Sequence, residues 1–85
     1  MNTVHVLYFA SIREALGVGG EELQTRAATV AELRDEIIRL KGGAAASALA
    51  PGKAVRTALN QVMCKPGAVI ANGDEVAFFP PVTGG

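Results

Sequence analysis

The stretch Thr29-Val30-Ala31-Glu32-Leu33-Arg34-Asp35-Glu36-Ile37-Ile38-Arg39-Leu40 decides how the chain is read. Thr29 and Glu32 have the spacing of a capping box, in which the hydroxyl and the glutamate three residues on satisfy each other's backbone donors. Val30, Leu33, Ile37 and Leu40 follow at helical spacing and make one apolar face. Asp35 and Arg39 stand four apart and are placed to pair, and Gly42-Gly43 ends the helix. An amphipathic helix needs a surface to cover, so the flanking segments are read for a sheet.

Before the helix, residues 3–10 alternate as a strand, with Val4, Val6 and Tyr8 on one face and His5, Leu7 and Phe9 on the other. Ser11-Ile12-Arg13-Glu14 fits a second capping box, opening a helical turn that stops near Gly17. Gly19-Gly20 then turns the chain, and residues 21–25 return as a short strand. After the helix, the alanine-rich residues 44–53, closed by Pro51-Gly52, read as a loop with at most one helical turn. A strand is expected around Ala58-Leu59-Asn60-Gln61, turns at Pro66-Gly67 and Asn72-Gly73-Asp74, and a last strand over 75–79, stopped by Pro80-Pro81. The order strand, strand, helix, strand, strand predicts an α+β fold: a mixed sheet with one main helix packed across it, the ubiquitin-like β-grasp arrangement. Residues 1–79 make one domain, and residues 80–85 an extended tail.

The totals agree with a small soluble domain. In 85 residues, Lys+Arg and Asp+Glu balance at 8 each, which leaves no basic footprint for nucleic acid. The single Cys64 cannot form an internal disulfide, and no apolar run approaches the roughly 20 residues that span a membrane. The cytoplasm is the expected location. His5 has no second histidine or neighbouring cysteine to complete a metal site, and Cys64 has no evident base, so neither is expected to carry chemistry. Pro51-Gly52-Lys53-Ala54 lacks the glycine spacing and the hydroxyl of a phosphate loop. No conventional active site assembles from these side chains.

What remains is the end, Phe78-Phe79-Pro80-Pro81-Val82-Thr83-Gly84-Gly85. The two prolines lack backbone donors and hold φ fixed, so the sheet stops and the tail leaves extended. At a glycine usage of about 7%, two terminal glycines arise by chance in roughly one chain in two hundred. The pair alone therefore decides little; the stiff Pro-Pro stem adds to it, because a frayed end needs none. A Gly-Gly end is thin enough to thread a narrow channel in another protein. Its carboxylate is a poor electrophile and must be activated, most simply as an acyl-adenylate made by a partner using ATP.

The run 74–85, together with Val6-Leu7-Tyr8-Phe9-Ala10-Ser11-Ile12-Arg13-Glu14 and Leu59-Asn60-Gln61, resembles the small-subunit family of molybdopterin synthase. The resemblance covers essentially the whole chain, residues 44–53 least. It implies that an adenylating enzyme similar to ubiquitin-activating enzymes couples the Gly85 carboxylate to AMP. A sulfur donor then displaces AMP, leaving a thiocarboxylate (1-thioglycine) on Gly85. Pro80, Pro81, Val82, Thr83 and Gly84 would carry it into the large catalytic subunit, where it gives sulfur to cyclic pyranopterin monophosphate. The resemblance also implies a tetramer of two small and two large subunits, with no metal or cofactor held by this chain.

A docking surface follows from strand geometry. Phe78 and Phe79 are adjacent, so they face opposite ways. With Val76 and Phe78 in the core, Phe79 is left outside, and the β-grasp order sets Phe9 beside it. Met63 extends the patch, and aromatics and Met are enriched at interfaces. Three other readings remain: a thiamine-type sulfur carrier, a ubiquitin-like modifier joined to lysines through Gly85, and an interaction domain with an inert tail. The long Phe-Phe-Pro-Pro-Val-Thr-Gly-Gly end speaks against the first.

Overall fold

Alternating burial builds the centre of the molecule. In strand β1 (Asn2–Tyr8), Val4, Val6 and Tyr8 are buried and His5 is exposed. The computed structural model describes residues 1–50 and 54–80. After β1 come helix α1 (Ala10–Leu16), strand β2 (Gly20–Thr25), helix α2 (Val30–Lys41), helix α3 (Gly43–Leu49), strands β3 (Arg56–Leu59) and β4 (Val62–Cys64), and strand β5 (Glu75–Phe79).

The strands form one mixed sheet in the order β2-β1-β5-β3-β4. β1 and β5 pair in parallel and the other neighbours antiparallel. Val76 and Phe78 of β5 point to the same side as Val4, Val6 and Tyr8, and α2 covers them with Val30, Leu33 and Ile37. This is the β-grasp arrangement that the element order predicts. Among the described residues, no helix is long and apolar enough to cross a membrane.

The main helix starts as expected: the Thr29 hydroxyl accepts from the Glu32 backbone N–H at 3.2 Å. Glu32 reaches back one residue further than the motif requires, accepting from the Ala28 N–H at 3.1 Å. Leu40 does not join the buried face. It is 65% exposed, and Ile38 packs against the core beside Ile37 instead. Asp35 and Arg39 form no pair; the last turn is tied instead by Lys41, whose ammonium meets Glu21 of β2 at 2.8 Å. Glu21 also accepts from the buried Tyr8 hydroxyl at 2.8 Å, so one carboxylate joins β1, β2 and α2.

Three local expectations are corrected. The second capping box does not form: Phe9 is the N-cap, no side chain caps the helix, and Ser11 already lies within α1. Ala10 makes the sharp entry at φ 50°, a left-handed conformation unusual for alanine. The expected stop is correct, with Gly17 at φ 76° closing α1.

Residues 43–49 form a helix rather than a loop. α3 sinks Ala45 and Leu49 fully into the core, and the Arg34 guanidinium of α2 donates to the carbonyls of Leu49 and Ala50. A helix of this length is marginal alone, so packing and these capped carbonyls hold it. Residues 51–53, the expected close of that loop, lie outside the described residues.

The single strand expected over 58–61 is the middle of a hairpin. Asn60 and Gln61 both take positive φ, 51° and 69°, the two-residue loop whose twist suits paired strands. Asn60 is held on both sides. Its carbonyl oxygen accepts from the Glu75 N–H at 2.9 Å, and its amide donates to Asp74 at 3.0 Å.

The outer sheet face and the tail exit

The face of the sheet turned away from α2 carries the candidate site. β5 places Glu75, Ala77 and Phe79 there, because Val76 and Phe78 are committed to the core. The parallel register sets Leu7 beside Ala77, and the backbone N–H of Phe9 extends the pairing by donating to the Phe78 carbonyl at 3.2 Å. Phe9 therefore stands next to Phe79. Their rings stack with centroids 4.7 Å apart and planes 5° from parallel. Phe9 remains 40% exposed, so the stack is a surface feature and not a stray piece of core.

The antiparallel registers carry the same face outward. Ala77 pairs with Ala58, and Ala58 with Met63. The two alanines are only 4% exposed, sunk between larger neighbours, whereas Met63 at the sheet edge is 56% exposed. A shallow alanine floor thus separates the aromatic stack from Met63. All three residues singled out from the sequence share the face, but only Phe9 and Phe79 stack. Arg56, opposite Phe79, adds an exposed cation that the sequence reading did not single out. Leu7, Ala58 and Ala77 complete the floor. Period-two alternation about Val76 and Phe78 marks Ala77 from sequence alone, but Ala58 needs the hairpin register.

Pro80 follows Phe79 directly and lines a groove with Ser11 and Ala15 of α1 and Ala48 of α3. Pro81, Val82, Thr83, Gly84 and Gly85 lie outside the described residues. No group of three or more His, Cys, Asp or Glu suited to a metal ion occurs among the described residues. Cys64 is half-buried, its sulfur 3.4 Å from the Thr57 hydroxyl. The face is largely apolar and aromatic, with Glu75 and Arg56 toward its ends.

Comparison with known proteins gives the family. Residues 6–85 match the ThiS family. The chain belongs to the ThiS family. A relative from Haemophilus influenzae, named molybdopterin synthase sulfur carrier subunit, is 43% identical over 82 residues, covering 96% of this chain and 99% of that protein. Among solved structures, SAMP1 from Haloferax volcanii superposes with a TM-score of 0.81 at 25% identity, covering 99% of this chain and 100% of that one. A chain from the complex of subunits 1 and 2 of molybdopterin-converting factor from Helicobacter pylori matches with a TM-score of 0.65 at 26% identity, covering 98% of this chain and 99% of that one. The ThiS-family match runs through the final Gly85, and so includes the whole tail after Pro80.

Proposed function

We propose that this chain is the sulfur-carrying small subunit of a molybdopterin synthase, and that its C-terminal Gly85 is the reacting residue. The observation that carries this reading is the full-length likeness to a molybdopterin synthase sulfur carrier subunit. The aromatic stack immediately before the Pro80-Pro81 stem supports it, because a carrier needs a docking face close to its reactive end.

The chemistry runs through a partner first. A carboxylate oxygen of Gly85 attacks the α-phosphate of ATP in an adenylating enzyme, releasing pyrophosphate and forming an acyl-adenylate. A sulfide-level donor then attacks the acyl carbon and AMP leaves with the bonding electron pair. The resulting thiocarboxylate is a soft anion, nucleophilic near neutral pH for the reason a thiolate is. The large subunit docks on Phe9, Phe79 and Met63, and residues 80–84 deliver the thiocarboxylate to its substrate, cyclic pyranopterin monophosphate. A dithiolene needs two sulfurs, so two deliveries complete one product; in each, the sulfur bonds the substrate, water cleaves the acyl–sulfur bond, and Gly85 returns as a carboxylate for recharging. On this reading two small and two large subunits assemble, and the steering side chains belong to the partner.

The test is the intact mass of the chain purified from cells that also express its activating enzyme. A species with one C-terminal oxygen replaced by sulfur, absent when Gly84 and Gly85 are deleted, is expected. Plain carboxylate alone under active conditions would overturn the carrier reading, and covalent adducts on other proteins would identify a modifier instead.

A further inference from the structure

The β3–β4 register pairs Thr57 with Cys64, and continued by one residue it sets Arg56 opposite Lys65. Both side chains are exposed, and neither meets a carboxylate among the described residues. Lys65 follows the last residue of β4, and like charges at facing positions beside a sheet repel. Arg56 is also the cross-strand neighbour of Phe79, so it borders the aromatic stack where the chain leaves β5 for its tail, with Lys65 one strand further out. A groove of about 340 Å³ between α2 and the β3–β4 hairpin is lined by Arg34, Arg56, Met63 and Lys65 among others, with no Asp or Glu. The acidic residues of β5 and its approach, Asp74 and Glu75, lie at the opposite end of that strand. A chain with a formal net charge of zero therefore has a one-signed margin beside its docking face.

We propose that the protein surface seated on the Phe9–Phe79 face is acidic along this border, and that its carboxylates meet Arg56 and Lys65. The inference rests on the docking face of the preceding section and adds the partner's charge. The apolar stack holds the complex once formed, while the cations orient and speed the encounter, since rim charges act mainly on association rate and salt dependence. The unfavourable Arg56–Lys65 juxtaposition is relieved only when the partner is bound.

The experiment measures association and dissociation rates of the full chain with the large subunit at low and high salt. The double reversal Arg56→Glu/Lys65→Glu is expected to slow association about tenfold at low salt. The difference should shrink at high salt, where screening shortens from about 10 Å at 0.1 M to about 3 Å at 1 M. Arg56→Gln/Lys65→Gln gives a smaller loss in the same direction, which keeps the test open if the reversal impairs folding. Lys65→Glu alone sets opposite charges across the hairpin, so it should raise Tm while slowing association. Phe79→Ala should speed dissociation at either salt. If the charge variants bind as the parent does while Phe79→Ala weakens the complex, the acidic border is refuted and the docking face stands. If Phe79→Ala is also without effect, the docking face itself falls. If millimolar inorganic phosphate slows the parent's association as much as the reversal does, the margin is a small-anion site and the proposal is overturned.

Discussion

Raising the pH should unfold this protein through one residue. Tyr8 is the only tyrosine in the chain, and there is no tryptophan. Its side chain is buried in the core and its hydroxyl donates to Glu21 at 2.8 Å. Burial, with the hydrogen bond and the negative charge of Glu21 adding to it, pushes the phenol far above its ordinary value near 10. The folded pKa thus exceeds the unfolded one, so the stabilisation is complete below pH about 10 and is lost as pH rises beyond it. One proton released on unfolding costs about 1.4 kcal/mol per pH unit, or nearly 3 kcal/mol by pH 12. A domain of this size holds roughly 4–13 kcal/mol in total, so the loss is a large fraction. Phenolate absorbance and far-UV circular dichroism should be followed together between pH 9 and 12.5. The phenolate is expected to appear only as the helical signal is lost, well above pH 10. Tyr8→Phe isolates the phenol's share: its stability should fall less steeply over the same interval. An ordinary titration centred near pH 10 with the dichroism intact would refute the reasoning.

Two substitutions test the elements that differ from the sequence-based expectation. Leu49→Ala should cost about 2–5 kcal/mol in urea unfolding, because Leu49 is fully buried in the core; a loss under 1 kcal/mol would mean that α3 is peripheral. Asn60→Ala removes two side-chain hydrogen bonds at a residue with positive φ and should cost about 1–3 kcal/mol. Asn60→Gly, which restores the backbone freedom but not the hydrogen bonds, should recover only part of that; full recovery would leave the bonds without weight.

The elements legible in the sequence were those whose cause is local. The α2 cap, the stop at Gly17, the alternation of β1 and the end of the last strand at Pro80 each depend on residues within a turn of one another. The outward direction of Phe79 followed from period-two geometry once Phe78 was committed to the core, and the structure adds the stacking partner. Ser11 shows the limit of such motifs. A serine with a glutamate three residues on fits a cap, yet the strand carries the chain directly into the helix through Phe9 and Ala10, and the hydroxyl arrives too late.

By itself, then, the amino-acid sequence determined the amphipathic helix, the β-grasp order of elements and the face on which Phe9 and Phe79 emerge. Tertiary structure decided three things. The alanine-rich 43–49 segment became a helix because the core accepts Leu49 and Arg34 caps its last carbonyls. The 58–61 segment became the middle of a hairpin, with Asn60 in its loop held by Asp74 and Glu75 far along the chain. The cation Arg56 came to border the aromatic stack because β3 joins β5 in one particular register. Each depends on partners distant in sequence, and a local pattern contains no information about which distant segment will supply them.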